Sequence, residues 1–234
     1  MSSEHLSKQF DADLETLRSG VLQMGGLVES QIRGALDAFA HGNAELIERV
    51  IANEAHVDEC EVQIDNDCSH IIVKRQPAAS DLRLIMAISK TVTDLERIGD
   101  EAEKIARMSK QIHERGRTDL HRFANIRHAA DIALSMLRQA LDAFARLDTA
   151  QAASIIRQDA AIDTEFGSIL RQLITFMMED PRTISTSINI VWVAKAIERI
   201  GDHAKNIAEQ VIYIVKGRDV RHTPLAEVER EALG

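Results

Sequence analysis

Aromatic residues, prolines and cysteines are scarce in this 234-residue chain. Only 3% of the residues are aromatic although 45% are hydrophobic, so a core must be built from aliphatic side chains and methionine. The three prolines are Pro77, Pro181 and Pro224, which leaves residues 1–76 and 78–180 without any proline. Long proline-free stretches rich in Ala, Leu, Glu and Arg favour α-helix. The sequence therefore predicts an all-α protein.

Positive charge and long apolar runs are also in short supply. The chain has 28 Lys and Arg against 37 Asp and Glu, a formal charge of −9, which disfavours non-specific nucleic-acid binding because that requires a basic face. The longest uncharged run, residues 183–194, is too short and too polar to span a bilayer, and residues 1–15 lack the apolar segment of a signal peptide.

Cys60 and Cys68 would lie about 12 Å apart along a helix, too far for a disulfide. We therefore expect a cytoplasmic protein with free thiols and no nucleic-acid partner.

Helical periodicity dominates the chain and divides it into six long segments. The breaks fall at Asn43, a typical N-cap residue, at the two prolines Pro77 and Pro181, and at Gly217. Ser80 or Asp81 is expected to cap the third helix. The helices are predicted near residues 6–40, 44–74, 80–114, 119–146, 150–179 and 183–215.

One half of the sequence repeats the other. Residues 95–106 read LERIGDEAEKIA and recur at 197–208 as IERIGDHAKNIA, an offset of 102 residues. The segment LDAFA at 36–40 recurs at 141–145, an offset of 105. We therefore expect two pseudo-symmetric antiparallel three-helix bundles, residues 1–116 and 117–218, followed by a loosely held tail at 219–234.

Each repeat carries two pairs of acidic residues at positions i and i+4, one pair on its second helix and one on its third. Such positions share a face of an α-helix. The pairs of the second helices lie in or beside the apolar stripe, and those of the third helices lie beside it. A carboxylate that faces inward is costly unless it is paired, protonated or bound to a metal. The four pairs are Glu54/Asp58, Glu96/Asp100, Asp159/Asp163 and Glu198/Asp202.

The inward acids have two explanations beside a metal: cations from another helix, or, for the third helices, a solvated face. Arg97 follows Glu96 directly, but neighbouring side chains project about 100° apart, so we expect Arg97 to interact with Asp94 or Glu101 instead. Converging carboxylates without matching cations favour a hard cation such as Mg, Mn or Fe over zinc. Gly99 and its twin Gly201 cost about 1 kcal/mol each relative to alanine, which indicates close helix packing or room for an ion.

The sequence resembles the PhoU family over essentially its whole length. The resemblance rests on the two ERIGD segments, the acidic pairs one helix upstream of each, QPAASDLR at 76–83 and MGGLVESQI at 24–32. It implies two three-helix bundles and metal binding through the eight acids named above. It also implies a negative regulator of phosphate uptake and of the phosphate-starvation response. Such a protein, commonly dimeric, would link the ATPase subunit of the phosphate ABC transporter to a sensor histidine kinase.

The second repeat departs from the family pattern at one turn, because EDPRTISTSIN replaces RQPAASDLR. A partner contact through this turn would therefore be confined to the first repeat, at Gln76, Pro77, Asp81 and Arg83. The local alternative is that Asp81 caps a helix and Arg83 is an exposed first-turn charge. The alternative function is a purely structural helical adaptor. Because the chain has neither the Glu-x-x-His motif of di-iron oxidases nor a nucleophile–base constellation, we expect no enzymatic activity.

Overall fold

The computed structural model describes residues 8–114 and 124–234, which form seven α-helices and a short 3-10 turn and contain no β-strand. The all-α prediction is confirmed, and the long helices begin and end close to the predicted positions. The predicted starts of the first and fourth helices and the predicted boundary between the repeats at 116/117 lie outside the described residues. The helices are α1 (Lys8–His41), α2 (Ala44–Arg75), α3 (Ala79–Glu114), α4 (Ala124–Arg146), α5 (Thr149–Glu179), α6 (Ile184–Lys216) and α7 (Leu225–Leu233).

Most of the predicted helix boundaries have the expected chemistry. The side chain of Asn43 accepts a hydrogen bond from the backbone N–H of Leu46 at 3.1 Å, so it caps α2 as predicted. Gly217 ends α6 in the left-handed conformation, with φ 74°. The predicted cap of α3 is wrong, because the helix begins at Ala79 and places Asp81 inside its first turn. An acidic residue there still interacts favourably with the positive end of the helix dipole.

The helices form two bundles, α1–α2–α3 and α4–α5–α6, which pack side by side. The contact between them is made chiefly by α3 and α6, with a smaller contribution from α1 and α4. α3 and α6 run antiparallel: Arg83 near the start of α3 reaches Ile214 near the end of α6, whereas Lys104 lies over Trp192. The predicted twin stripes of these two helices are buried throughout: Leu95, Ile98, Ala102 and Ile105, and Ile197, Ile200, Ala204 and Ile207.

The C-terminal tail is ordered against the second bundle, contrary to the expectation of a loosely held segment. α7 packs on α5, where Val228 and Ala232 are buried. The hydroxyl of Thr149 donates to the carbonyl oxygen of Ala232 at 2.7 Å. The apolar residues of α7 recur at helical spacing, but over nine residues this pattern is too short to stand out in the sequence.

Two further predictions concern the thiols and the membrane. Cys60 and Cys68 are free, as the spacing predicts. Burial raises the pKa of Cys68 to about 12. Within residues 8–114 and 124–234, no helix is both long enough and apolar enough to cross a bilayer.

A candidate carboxylate site in each repeat

The structure brings the acids of each repeat to the seam between its second and third helices. Asp58 and Asp100 both contribute to the electrostatic field at Glu54, and Asp159 and Asp163 both contribute to the field at Asp202. The depth of the acids differs, however. Glu54 and Glu198 are buried, Glu96, Asp100, Asp159 and Asp202 are half-buried, and Asp58 and Asp163 are exposed. The expectation of an inward-facing side chain is therefore wrong for Asp58, which was expected on the apolar stripe of α2, and for Asp163, which was expected within that of α5.

Glu54 is the most deeply buried acid of the first repeat, at 9% exposure. Its Oε2 accepts a hydrogen bond from the side-chain amide of Gln31 on α1. Its Oε1 is fully enclosed and accepts no hydrogen bond from any described residue. Burial, reinforced by the nearby Asp100 and Asp58 carboxylates, raises the pKa of Glu54 to about 7. This carboxyl group is consequently short of a positive partner.

Arg97 does not pair as predicted. Its Nε lies 3.3 Å from Oε2 of Glu96, and its Nη1 lies 3.3 Å from Oδ2 of Asp100. The Arg97 side chain lies along the surface of its own helix. It is long enough to reach Glu96 although the Cβ atoms of neighbouring residues point about 100° apart. Because the Arg97 side chain is 53% exposed, solvent screens these ion pairs. Burial and the neighbouring Asp100 still raise the pKa of Glu96.

In the second repeat, lysine side chains form ion pairs with two of the four equivalent acids. The Lys205 ammonium group lies 2.6 Å from Oδ2 of Asp159, and that of Lys195 lies 2.6 Å from Oε2 of Glu198. At the position that Lys205 holds, the first repeat has Glu103, by the repeat offset of 102. The alternative of pairing with cations therefore applies to the second repeat. Burial, together with the Glu198 and Asp159 carboxylates, nevertheless raises the pKa of Asp202.

The two repeated glycines lie where neighbouring helices approach closely, which confirms one of the two expectations for them. A Cβ atom at Gly201 would overlap the Cδ1 methyl group of Ile162 on α5. A Cβ atom at Gly99 would lie 3.0 Å from Oε1 and 3.2 Å from Oε2 of Glu54 on α2. At Gly99 the missing side chain therefore makes room for a carboxylate, whereas at Gly201 it makes room for an aliphatic chain.

The fit of a metal ion differs between the repeats. As the side chains stand, the described residues contain no group of three His, Cys, Asp or Glu close enough to hold one ion. In the first repeat, the enclosed Oε1 of Glu54 and the mutual repulsion of the acids fit a hard cation, which takes carboxylate oxygens. Three carboxylates would meet one ion only after side-chain rotation. In the second repeat, Lys195 and Lys205 already supply positive charge, so the fit is poorer.

The turn between α2 and α3 contains the residues predicted to contact a partner. Gln76 is exposed and adopts a left-handed conformation with φ 47°, followed by the half-buried Pro77. Asp81 is buried, and the Nε of Arg83 donates to the carbonyl oxygen of Ile214 at 3.2 Å. Arg83 therefore joins the two bundles, and the alternative that it is an exposed first-turn charge is wrong. A partner contact through Gln76, Pro77, Asp81 and Arg83 stays a prediction.

Gln31 is a site residue that the sequence analysis missed. It is 3% exposed and donates to both the Glu54 carboxylate and the backbone oxygen of Val50. Its position is visible in the sequence, because it interrupts the buried stripe of α1 next to Val28 and Ile32. A polar side chain at such a position requires a hydrogen-bonding partner, and the neighbouring acidic helix supplies it.

Polar pairs across the α3–α6 contact were also missed. Glu101 is only 4% exposed; its Oε1 lies 2.8 Å from Nη1 of Arg199, and its Oε2 accepts from Lys104 at 3.1 Å. Across the same contact, the Nδ1 of His203 lies 2.8 Å from Oδ1 of Asp94. No signal within a single helix predicts these pairs, because they depend on the register between the two repeats.

Comparison with known proteins gives the same description over nearly the whole chain. The family model described as the PhoU domain matches residues 21–109 and 126–211, one match in each repeat. A "Phosphate-specific transport system accessory protein PhoU homolog" from Burkholderia sp is 50% identical over 234 residues, covering 100% of both chains. The "Phosphate-specific transport system accessory protein PhoU" of Escherichia coli (strain K12) is 44% identical over 232 residues, covering 99% of this chain and 95% of its own.

Solved structures agree with the sequence matches. The crystal structure of PhoU from Pseudomonas aeruginosa superimposes with a TM-score of 0.86 at 48% identity, covering 89% of this chain and 100% of the other. The phosphate transport system regulatory protein PhoU from Streptococcus pneumoniae gives a TM-score of 0.83 at 28% identity, covering 90% and 99%. With both repeats matched and the fold reproduced, the chain belongs to the PhoU family.

Proposed function

We propose that this protein is an accessory regulator of a phosphate-specific transport system, and that it represses phosphate uptake and the phosphate-starvation response. The observation that supports this most strongly is the end-to-end similarity to accessory proteins of that system, at 50% identity over 234 residues. The protein acts by binding rather than by catalysis.

The proposed partners are the ATPase subunit of the phosphate ABC transporter and the phosphate-sensing histidine kinase, which the protein contacts as a cytoplasmic homodimer. It reaches the membrane only through these partners. Two structurally related repeats, joined by polar pairs such as the buried Glu101 with the partly exposed Arg199, form a body on which two partners can be held together. The turn at Gln76 and Pro77, whose Asp-Leu-Arg continuation at residues 81–83 is missing from the second repeat, is a candidate contact for one of them.

The proposal includes a hard metal ion, Mg, Mn or Fe, held by carboxylates at the α2–α3 seam. Glu54, Asp58, Glu96 and Asp100 would hold it, and the ion would supply positive charge to these mutually repelling groups beyond that of the exposed Arg97. The corresponding site of the second repeat, at Asp159, Asp163, Glu198 and Asp202, would be weaker because Lys195 and Lys205 compete for the same oxygens. The enclosed, unpaired Oε1 of Glu54 is the observation in favour of the first site.

A structural adaptor without a metal is the second candidate function. The ion pairs that Arg97, Lys195 and Lys205 make with the acids favour it, because they neutralise part of the charge without an ion. The two candidates differ in whether the first-repeat carboxylates are needed for regulation.

Gene deletion with complementation tests the function. We expect deletion to derepress phosphate-scavenging genes in high phosphate and the wild-type gene to restore repression. A variant with Glu54→Gln, Asp58→Asn, Glu96→Gln and Asp100→Asn should fold but fail to restore it. Repression that persists in the deletion strain would contradict a regulatory role. Full rescue by the variant would instead favour the adaptor without a metal.

A further inference from the structure

An open groove runs between α1 and α2, on residues that have no part in the carboxylate site. It has a volume of about 1000 Å³ and is bordered by residues 12–27 of α1 and 56–67 of α2. Fifteen residues of helix measure about 22 Å, so the groove is as long as about four turns of a docked helix.

The floor of the groove is apolar. Leu17 and Ile64 form its buried base, at 2% and 6% exposure, and Leu27 stands at one end with 46% of its surface exposed. Gly20 keeps the groove deep, because a Cβ atom there would already touch the Ile64 side chain at 3.4 Å. Cys60, which is partly exposed, lines the α2 wall.

The rim of the groove is acidic. Its lining includes the carboxylates Glu15, Glu59 and Asp67 and no lysine or arginine. His56 lies 3.5 Å from Glu59, and Arg18, outside the lining, lies 3.6 Å from Glu15. Arg18 also donates to the carbonyl oxygen of Ala145 on α4, which turns its charge toward the second bundle. The groove therefore presents negative charge on both walls above an apolar floor.

We propose that this groove binds an amphipathic α-helix of a partner protein that carries lysine or arginine beside its apolar stripe. In this mode of recognition, apolar side chains at positions i, i+3, i+4 and i+7 fill a groove between two helices. Basic side chains flanking that stripe would meet Glu15 on one wall and Glu59 and Asp67 on the other, while an acidic helix would be repelled. The proposal does not depend on the metal site, since the two share no residue.

The test uses the full-length protein and a fluorescent synthetic peptide of roughly four helical turns, with leucines at i, i+3, i+4 and i+7 and lysines beside them. A second peptide has the same composition with the leucine spacing scrambled, so its charge is identical. We expect fluorescence anisotropy to show at least about tenfold tighter binding of the patterned peptide. Equal affinity for the two peptides would show that charge alone drives binding and would overturn the proposal.

Two substitutions on the same helix give a matched comparison. Gly20→Leu places a side chain in the groove, whereas Gly26→Leu adds one where no heavy atom lies within 4 Å of a Cβ. We expect Gly20→Leu to weaken the patterned peptide at least about tenfold and Gly26→Leu to leave its binding unchanged. The charge reversal Glu59→Lys with Asp67→Lys provides a variant that leaves the floor intact, and it should also weaken binding. Unchanged binding in both groove variants would contradict the proposal.

The two cysteines supply an independent readout in the wild-type protein. Saturating peptide should slow maleimide labelling of Cys60, while Cys68, buried with its pKa raised to about 12, stays unlabelled throughout. Labelling of Cys60 at an unchanged rate would place the peptide elsewhere and overturn the proposal. A different pair of results would also overturn it: Cys60 becomes protected when the protein concentration is raised without peptide, and Gly20→Leu dissociates a dimer. The occupant of the groove would then be a second copy of this chain.

Discussion

Glu54 on α2 lies directly against Gly99 on α3, so that a Cβ atom at position 99 would stand 3.0 Å from the Oε1 of Glu54. The same Oε1 is enclosed and accepts no hydrogen bond from the described residues. The glycine of the first ERIGD segment therefore allows a buried carboxylate to sit at the seam between two helices. In the second segment, Gly201 faces Ile162. The same glycine of the motif therefore packs against a carboxylate in one repeat and against an aliphatic side chain in the other.

Gly99→Ala should stabilise the protein less than Gly26→Ala, although both replace a glycine inside a long helix. Alanine gains about 1 kcal/mol of helix propensity at either position. At position 26 the new methyl group meets nothing, whereas at 99 it crowds Glu54 and Val57, whose Cγ1 would lie 3.2 Å away. Urea denaturation of both variants measures the difference. Equal stabilisation would show that Glu54 does not occupy the space beside Gly99.

Arg199→Ala should lower the free energy of unfolding by about 1–2 kcal/mol, because it removes a cation that pairs with the buried carboxylate of Glu101. The loss stays below that of a fully buried pair, since Arg199 is 42% exposed and Lys104 remains beside Glu101. Adding Glu101→Gln to Arg199→Ala should recover part of the loss.

Arg182→Ala is the control for that measurement, because the Arg182 side chain is 91% exposed and, within the part of the chain that the structure describes, pairs only with the nearby Asp180. Its effect should be negligible, because solvent screens an ion pair on the surface. A loss for Arg199→Ala no larger than that of the control, in the same denaturation experiment, would mean that the ion pair between the bundles does not stabilise the fold.

Glu209→Gln should make the protein more stable at pH 8 and change it much less at pH 5. Burial is the main reason that the pKa of Glu209 rises from 4.5 to about 7, opposed by Lys205 and Arg221 and assisted by Asp219 and Asp94. Below about pH 4.5 the group is protonated in both states, so its burial imposes no ionisation cost. Between pH 4.5 and about 7, Glu209 loses its proton in the unfolded chain and keeps it in the folded protein. The free energy of unfolding therefore falls as the pH rises through this range.

The cost of ionising Glu209 in the folded protein is on the order of 3 kcal/mol above pH 7, and glutamine removes it. Denaturant midpoints of the wild type and the variant at the two pH values provide the measurement. Glu179→Gln, the same substitution at an exposed position near the end of α5, is the matched control, against which the effect of Glu209→Gln is compared at both pH values. A Glu209→Gln effect of equal size at pH 5 and pH 8 would rule out the raised pKa.

The fold could be predicted because its determinants are local and periodic. The stripe of α2, from Ile47 to Ile71, and the N-cap at Asn43 are legible within single helices, and the structure confirms both. The repeat then predicts two bundles. Among the α-helices of residues 8–114 and 124–234, α7 was missed, because nine residues give too few turns to establish a pattern.

The chemistry of the site was predictable only in part, because it depends on partners from other helices. Glu54 interrupts an apolar stripe and was expected to be buried, which it is. The Lys205–Asp159 pair, however, joins α6 to α5, and its register cannot be obtained from either helix alone. Arg97 shows a second limit: a long flexible side chain can reach a carboxylate that its Cβ direction disfavours.

Metal content is the most direct test of the carboxylate site. The wild type, a first-repeat variant and a second-repeat variant are dialysed against Mn²⁺ and then buffer, and the retained metal is determined by elemental analysis. The first variant carries Glu54→Gln, Asp58→Asn, Glu96→Gln and Asp100→Asn, and the second carries the same changes at Asp159, Asp163, Glu198 and Asp202. We predict that the first variant loses most of the bound manganese and that the second retains most of it. Unchanged metal in the first variant, or a wild type that retains none, would contradict an ion site between α2 and α3.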